Sequence, residues 1–423
     1  MKKILILGGT LISCEIVIAA KRMGFYTVVA DYNDREKSPA KQIADKEFCI
    51  SATDVEEIVK LIRDEKIDGV LTGFADVLLE SYAEICHKAG LPCYGTKEQF
   101  RLFTNKKEYK KICARFGVPV IEEYLETDIS KGNIVYPVLV KPVDNSGSRG
   151  ISICYSLDEL YDGINFAKKN SKSRQVLIEP YIEGEECTVF LLFDKGKTYL
   201  TAIGNRHVKK IQSGIIPLPV GYTYPASITK NYLENIFPRI KSMMDYVGIK
   251  NGMMFLQCKI KDDNCLIYDI GYRLTGSLEY HNLSAVCGYN PLEMLINFAI
   301  YGDMNKNNEI ELINPFFDNH YAFNVSCLSK SGKIKKIIGV EDVKKMSFVD
   351  NVVLAHMPGE EITHEMIGQL SQITVRVLGH SENRQEIFEN MKSVHDKLQI
   401  ISTENEEMIL PGISEEDLNG VLI

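Results

Sequence analysis

The chain has 423 residues, of which 45% are hydrophobic and 25% charged, and this length can hold roughly two to four domains with buried cores. Its 49 basic and 57 acidic side chains give a net charge of −8, so the basic excess of nucleic-acid-binding proteins is missing and we expect no nucleic-acid partner. The 11 cysteines are scattered without a Cys-x-x-Cys pair, which predicts free thiols in a reducing, cytoplasmic environment and neither a disulfide framework nor a zinc site. No run of about 18 apolar residues occurs, so we expect no membrane partner.

Strand-like and helix-like segments alternate over residues 1–95. An apolar run at 4–7 precedes Gly8-Gly9-Thr10 and a helix at 13–23, and the pattern repeats with a helix at 55–65, strands at 69–72 and 92–94, and a helix at 77–89 between them. This alternation predicts a Rossmann-like α/β domain with a parallel sheet. The glycine pair lacks the full G-x-G-x-x-G fingerprint, which favours a tight turn with close packing over a dinucleotide site.

The middle of the chain has an α+β pattern. A lysine-rich helix at 104–117 precedes strands at 138–141, 151–154 and 176–178, with a helix at 157–169 between the last two. A strand-rich stretch at 188–203, a helix at 230–247 and a hairpin of strands at 253–260 and 265–270 follow. Beyond residue 314 we predict a hairpin of strands at 321–328 and 333–339 and a helix at 382–398.

Lys141 is the first candidate functional residue, because it ends a predicted strand beside a loop of small residues. Lys141-Pro142 leads into Asn145-Ser146-Gly147-Ser148-Arg149-Gly150. A lysine beside such a loop places a positive charge and several backbone N–H donors around one point, which suits polyphosphate oxygens. A hairpin loop with a solvated lysine explains these residues equally well on their own.

The second candidate is the acidic segment Glu179-Pro180-Tyr181-Ile182-Glu183-Gly184-Glu185-Glu186. An extended backbone between two units can read the edge of an adenine, and a carboxylate a few residues later can accept hydrogen bonds from ribose hydroxyls. Taken alone, the segment is an acidic linker.

The third candidate is a pair of oxygen-bearing side chains on the predicted hairpin. Gln257 and Asp269 lie 12 positions apart around a turn near Asp262-Asp263, so they can face each other on neighbouring strands and hold Mg²⁺ against phosphates. A polar pair on a solvent-exposed face is at least as good an explanation without further context.

Together, in their order along the chain, these motifs resemble the ATP-grasp superfamily. Lys106 and Lys141 flank a small α+β unit, the segment with Glu186 follows, and the hairpin and Arg273 come last. The run Gly252-Met253-Met254-Phe255-Leu256-Gln257 is most similar to the carbamoyl-phosphate-synthase large-subunit branch, in which glutamine holds the first metal position. The resemblance covers about residues 1–302.

The resemblance implies a role for each matching residue. Arg273 and Lys141 would be catalytic, with Arg273 steadying the γ-phosphate or an acyl phosphate, and Gln257 and Asp269 would hold Mg²⁺ or Mn²⁺. The residues implied to bind ATP are two lysines, a flexible loop over the phosphates, an adenine hinge and a ribose-binding carboxylate: Lys106, Lys141, Ser146, Gly147, Ser148, Gly150, Glu179, Pro180, Tyr181, Ile182 and Glu186.

Three further residues are candidates for substrate binding. Arg206 and His207 follow the strand after the hinge, and an arginine there is suited to a substrate carboxylate. His281 could line the acceptor pocket. A surface or packing role accounts for each of the three at least equally well.

The chain also departs from the family pattern. Where Glu-x-Asn-x-Arg is common, it has Asp269-Ile270-Gly271-Tyr272-Arg273, so one carboxylate is shorter and the asparagine ligand is missing, which puts a two-metal site in question. It carries one ATP-grasp unit, whereas carbamoyl-phosphate synthases carry two in tandem. Its Arg273-to-His281 run also differs from the Arg-x-x-x-Glu-His run of biotin carboxylases.

The sequence thus predicts three parts: a Rossmann-like domain at 1–95, an ATP-grasp domain at 96–313 and an α+β segment at 314–423. The ATP-grasp domain has a lid subdomain at about 118–182 and a larger antiparallel-sheet subdomain. The last segment completes or caps the ATP-grasp domain. The implied function is an ATP-dependent carboxylate–amine ligase that uses an acyl phosphate, with small-molecule substrates, and a homodimer is compatible with the family. The alternatives are a bicarbonate-using member, of carbamoyl-phosphate-synthase or carboxylating type, and an ATP-binding protein that has lost catalysis.

Overall fold

The fold is seen in a computed structural model, which describes residues 1–145, 147–210 and 215–418. The N-terminal region is a four-stranded parallel sheet in the order β3-β2-β1-β4. Its elements are β1 (Lys3–Leu7), α1 (Cys14–Arg22), β2 (Tyr26–Asp31), α2 (Pro39–Ile43), β3 (Lys46–Cys49), α3 (Val55–Glu65), β4 (Gly69–Leu71) and α4 (Leu79–Ala89). Strand β1 is apolar and almost wholly buried, as expected where helices cover both faces of a parallel sheet.

Gly9 shows why a glycine follows the first strand. A Cβ atom there would lie 1.7 Å from the Ser38 hydroxyl, and the Gly9 N–H donates to an Asp31 carboxylate oxygen at 2.9 Å. Close packing therefore accounts for this glycine. The short strand predicted at 92–94 is not formed: Tyr94 is buried instead in a cluster of aromatic rings with Phe100 and Tyr272.

The helix predicted at 104–117 is formed as α6 (Lys106–Arg115), and a further helix that was not predicted, α5 (Lys97–Thr104), precedes it. The Asn105 side chain caps α6 by accepting the N–H groups of Lys107 and Glu108, so the break falls at a side chain suited to an N-cap.

A small three-stranded antiparallel sheet in the order β6-β5-β7 follows. Its elements, with the preceding helix, are α7 (Glu126–Lys131), β5 (Val138–Pro142), β6 (Ser152–Cys154), α8 (Leu157–Lys169) and β7 (Val176–Pro180). Helix α8 packs its apolar face on this sheet, which gives the unit a small core of its own.

An eight-stranded antiparallel sheet forms the largest layer: five neighbouring strands in the order β12-β11-β8-β9-β10 are followed by three strands from the last part of the chain. Its first part and the neighbouring helices are β8 (Glu186–Asp194), β9 (Lys197–Lys209), β10 (Leu218–Tyr224), α9 (Thr229–Asn231), α10 (Phe237–Val247), β11 (Gly252–Lys261), β12 (Asn264–Gly271), α11 (Tyr280–Cys287) and α12 (Pro291–Tyr301). A π-helical segment (Tyr232–Ile236) separates α9 from α10, so the single helix predicted at 230–247 is interrupted. The core of this sheet is continuous with that of the N-terminal sheet.

The last part of the chain adds three strands to the eight-stranded sheet and builds a small sheet in the order β16-β14-β18. The elements are β13 (Tyr321–Leu328), β14 (Gly332–Ile338), α13 (Val340–Val343), β15 (Val349–Leu354), β16 (Glu361–Ile362), β17 (Ile373–Ser381), α14 (Glu386–Lys397) and β18 (Gln399–Ser402). The predicted hairpin at 321–339 is wrong, because β13 pairs with β10 and β17 on its two sides and has no free edge for β14.

The described residues thus confirm the predicted fold class: a parallel α/β sheet, followed by an α+β region with a small and a large antiparallel sheet. Strands from both sides of residue 313 share the large sheet, so the last segment completes it. Among these residues, no helix is long and apolar enough to cross a membrane.

Candidate active site

A cavity of about 410 Å³ is lined by residues of the small sheet and of the β11–β12 hairpin. It brings together most of the side chains that the sequence singled out. The predicted ATP-binding residues at its wall are Lys106, Lys141, Gly147, Ser148, Glu179, Pro180, Tyr181, Ile182 and Glu186. The predicted metal ligands Gln257 and Asp269 also line the cavity, and so do Arg273 and Arg206.

Lys141 lies on β5 and is almost fully buried beside Glu179 of β7. Its ammonium lies 2.7 Å from one Glu179 carboxylate oxygen and donates to the Tyr268 carbonyl at 3.1 Å. Lys110 of α6 forms an ion pair with the other Glu179 oxygen. Burial lowers the pKa of Lys141, and the nearby Lys110 and Lys106 lower it further, although Glu179 opposes them. A buried carboxylate thus holds two ammonium groups in place.

Lys106 stands at the first position of α6 and reaches the metal positions. Its ammonium donates to the Asn145 carbonyl at 2.9 Å and lies 3.1 Å from an Asp269 oxygen. Asp269 and Gln257 are register partners on β12 and β11, which confirms the pairing predicted from their spacing.

Gln257 and Asp269, the predicted metal ligands, place two oxygen-bearing side chains at this wall. Among the described residues, no group of three or more His, Cys, Asp or Glu side chains is arranged to hold a metal ion. Two protein oxygens still fit Mg²⁺, which is commonly bound by one or two protein groups together with substrate phosphates and water.

Phe255 explains the missing asparagine at position 271. A Cβ atom on Gly271 would lie 2.2 Å from the Phe255 ring, so no larger side chain fits there unless the ring moves. The Arg273 guanidinium lies 5.0 Å from the centre of the same ring. The Phe255 ring therefore occupies the space that a side chain at position 271 would need.

Glu186 begins β8 and is surrounded by donors. Arg206 forms an ion pair with it, Lys259 lies at 2.8 Å and the Tyr268 hydroxyl donates to it at 2.9 Å. Burial alone would raise the pKa of Glu186, but Arg206 and Lys259 outweigh burial and hold its pKa below the ordinary value. The carboxylate is thus ionised and fixed.

Arg273 is held by a residue of the N-terminal region. Its Nε and one terminal nitrogen donate to the two oxygens of Asp76, each at 2.6 Å. Burial alone would lower the pKa of Arg273, but Asp76 outweighs burial and raises it. This two-point contact fixes the plane of the guanidinium at the cavity wall.

The loop after β5 turns sharply. Gly147 and Ser148 have φ angles of 70° and 65°, in the left-handed region that glycine adopts without strain. Gly150 is not at the cavity wall; a Cβ atom there would lie 2.6 Å from Asn170, so packing accounts for it. Ser146 lies outside the described residues.

The hinge is less open than the sequence suggested. The Tyr181 N–H donates to the Pro137 carbonyl at 3.0 Å, so this group is engaged within the protein, and the Glu179 carboxylate is engaged by two lysines. Any contact of residues 179–182 with an adenine must use their other backbone groups.

His207 and His281 do not reach the cavity. His207 is buried, 2.8 Å from the Thr223 hydroxyl, and burial lowers its pKa to about 4 although Asp417 opposes this. His281 lies 2.7 Å from a Glu15 oxygen, between α11 and α1. Both histidines thus contact protein groups away from the cavity, and of the three predicted substrate residues only Arg206 lines it.

A second cavity of about 820 Å³ adjoins the first. It lies beyond the carboxyl ends of β1, β2 and β4, and the two cavities share several residues, including Ile12, Arg149, Gly276 and Arg376. Ligands in parallel α/β sheets commonly bind at this end of the strands.

Sequence reasoning missed several residues of the first cavity and its supports: Asp76, Lys110, Tyr222, Lys259, Tyr268 and Arg376. The sequence could have indicated Lys259, because it lies two positions after Gln257 and therefore on the same face of β11. Asp76 and Arg376 had none, because only the folded chain brings them to this place.

Comparison with family models identifies a domain in the middle of the chain. Residues 134–278 match the family model of the ATP-grasp domain. The chain contains an ATP-grasp domain. Residues 1–100 match the model of the biotin carboxylase N-terminal domain, which agrees with the parallel sheet ahead of the ATP-grasp domain.

The resemblance to the carbamoyl-phosphate-synthase branch is confirmed by sequence relatives. The large chain of carbamoyl phosphate synthase from Clostridium perfringens is 26% identical over 287 residues, which cover 65% of this chain and 26% of that protein. The same protein from Agathobacter rectalis is 25% identical over 325 residues, which cover 72% of this chain and 30% of that protein. The chain therefore spans under a third of these relatives.

Solved structures of similar fold match almost the whole chain. An L-amino acid ligase from Bacillus licheniformis has a TM-score of 0.77 and 19% identity, covering 95% of this chain and 99% of that one. The biotin carboxylase domain of the 2-oxoglutarate carboxylase from Hydrogenobacter thermophilus has a TM-score of 0.76 and 20% identity, covering 96% and 91%. At these identities the likeness shows the fold.

Proposed function

We propose that this protein is an ATP-dependent carboxylate–amine ligase, which phosphorylates a substrate carboxylate and releases ADP before an amine displaces the phosphate. The observation that carries the proposal is the wall of the 410 Å³ cavity, where Lys106, Lys141 and Arg273 converge with Gln257 and Asp269. Phosphoryl transfer needs positioning and charge neutralisation rather than a protein nucleophile, and these residues supply both.

Each residue has a distinct part in the proposal. Lys106 and Lys141 bind phosphate oxygens, residues 180–182 border the base, Glu186 accepts from the ribose, and Arg273 neutralises charge on the transferred phosphoryl group. Gln257 and Asp269 would hold Mg²⁺ or Mn²⁺, which would neutralise phosphate charge when bound. The loop with Gly147 and Ser148 would exclude water from the acyl phosphate.

The domain division at residues 95 and 313, the cytoplasmic location and a homodimer belong to the same proposal. The connected cavities support small-molecule substrates. A biotin carboxylase domain of similar fold is described as a dimer, which supports testing this chain for self-association.

A bicarbonate-using enzyme is the second candidate, supported by the similar folds of biotin carboxylases and by the carbamoyl phosphate synthase relatives. Loss of catalysis is the third, supported by the Phe255 ring in place of a metal ligand.

The test is release of ADP and phosphate from Mg²⁺-ATP with pooled carboxylic acids and amines, with and without bicarbonate. Release that requires both a carboxylate and an amine supports the ligase. Release that requires bicarbonate without an organic acid supports the second candidate. Tight ATP binding by calorimetry without turnover in any pool supports the third.

A further inference from the structure

The 820 Å³ cavity has an apolar wall. Its lining includes Leu11, Phe74, Val77, Leu78 and Leu278. Apolar cavities of this size hold small organic molecules, and a few polar groups in them fix the ligand's orientation.

Most polar groups of this cavity already have partners. The two oxygens of Asp31 accept the N–H groups of Gly9 and Asn33. His356 contacts Glu360 at 2.9 Å and the Ser371 carbonyl at 2.7 Å. These groups are satisfied within the protein and do not need a ligand.

Arg376 of β17 is different, because it is a buried cation without an ion pair among the described residues. It is 8% exposed, and its one described hydrogen bond runs from a terminal nitrogen to the Ser326 hydroxyl at 2.6 Å. Burial and the nearby Arg206 lower its pKa. A guanidinium has five N–H donors, so most of them remain for another acceptor.

The other two largely buried arginines of the first cavity have carboxylate partners. Arg206 is paired with Glu186, and Arg273 is paired with Asp76. Arg376 lines both cavities, so an anion bound to it would lie where the phosphate-binding cavity meets the apolar one.

We propose that the second cavity binds a carboxylic acid with an apolar body, and that Arg376 holds its carboxylate at the junction of the two cavities. The planar guanidinium fork matches a carboxylate, and the body lies against the apolar wall beyond β1, β2 and β4. The phosphorylation of this carboxylate rests on the proposed function, whereas the binding of the acid does not.

The test uses a tryptophan reporter, because the chain has no tryptophan. Tyr32 lines only the second cavity and is 71% exposed, so Tyr32→Trp places one fluorophore there with little disturbance. Titration with hexanoate should change its emission saturably. Hexanamide, which has the same body without the charge, and acetate, which has the charge without the body, should bind at least tenfold more weakly.

Arg376 is tested in the same reporter protein. Arg376→Met should weaken hexanoate binding at least tenfold, Arg376→Lys should restore part of it, and the matched change of an exposed arginine, Arg63→Met, should leave it unchanged. Equal affinities for hexanoate and hexanamide would overturn the proposal, and this comparison stands even where Arg376→Met fails to fold.

The binding readout needs no turnover, so the two proposals fail separately. Hexanoate binding without ADP release in any substrate pool would contradict the ligase and leave the second cavity assigned. Carboxylate-dependent ADP release with the same KM for the acid in Arg376→Met would support the ligase and contradict the role of Arg376.

Discussion

The two adjoining cavities differ in how their charges are paired. In the first, each of the central cations has a carboxylate partner, in the pairs Lys106–Asp269, Lys141–Glu179, Arg206–Glu186 and Arg273–Asp76. In the second, the wall is apolar and Arg376 has no such partner among the described residues. A paired network holds donors rigid for a charged ligand, whereas a buried arginine without a carboxylate partner, beside an apolar wall, selects an anionic group on an apolar molecule.

The largest expected effect is the loss of a central cation of the paired network. Lys141→Ala should lower the rate of ADP release by about 10²–10³, the range for removing one group that stabilises developing charge. Lys110 still pairs with Glu179 in this variant, so the fold should persist. Lys169→Ala, on the exposed face of α8, is the control for a surface lysine, and an unchanged rate in Lys141→Ala would remove Lys141 from the mechanism.

The second effect concerns Glu279, a buried carboxyl just before α11. Its side chain accepts from Ser277 at 3.2 Å, and burial raises its pKa to about 7. In the unfolded chain Glu279 releases its proton near the ordinary glutamate pKa, whereas in the folded protein it keeps the proton up to about pH 7. Between these two pKa values the unfolded state binds fewer protons than the folded state, so the free energy of unfolding falls as the pH rises.

Glu279→Gln removes this titration. Its stability relative to the unmodified protein should therefore rise by about 3 kcal/mol between pH 4 and pH 8. Urea unfolding at several pH values measures the difference, with the exposed Glu234→Gln as control. A constant difference across this range would show that Glu279 does not titrate there.

The sequence reached the first cavity because its residues lie in local patterns. The length of one hairpin predicted that Gln257 and Asp269 lie opposite each other. Lys141 was singled out because it ends a strand that leads into a loop of small residues. The second cavity was out of reach because it is assembled from the N-terminal sheet and from β15 and β17, more than 250 residues later.

The same limit explains the wrong hairpin at 321–339. A loop of small residues between two strands is a local signal for a hairpin, but β13 is bounded on both sides by strands that sequence spacing does not reveal. The aromatic ring at Gly271 is a further example. The departure at Gly271 was visible in the sequence, but the Phe255 ring that fills the space beside it on the neighbouring strand was not.

The third effect tests whether the Phe255 ring excludes a side chain at position 271. Gly271→Asn should lower the free energy of unfolding by about 1–3 kcal/mol, the usual range for overpacking, because its Cβ would meet the Phe255 ring. Gly271→Asn should cost less in a Phe255→Ala background than in the unmodified protein, and a double-mutant cycle measures this difference. Gly276→Asn is the control, since a Cβ atom there would meet only the end of the Ile12 side chain, at 3.6 Å. Full stability of Gly271→Asn would mean that the Phe255 ring moves easily.

The smallest effect concerns one donor to the Glu186 carboxylate. Tyr268→Phe removes the hydroxyl that donates to Glu186 at 2.9 Å and leaves Arg206 and Lys259 in place, so it should cost about 1 kcal/mol at pH 7. Because the pKa of Glu186 is depressed in the folded state, its ionised carboxylate stabilises the fold at pH values above the ordinary glutamate pKa. This stabilisation is lost as the pH falls through the folded-state pKa. The cost of Tyr268→Phe should therefore shrink at acid pH, whereas Tyr301→Phe, at an exposed ring, should show no such trend. A cost that stays constant with pH would show that the hydroxyl acts through packing and not through the charge of Glu186.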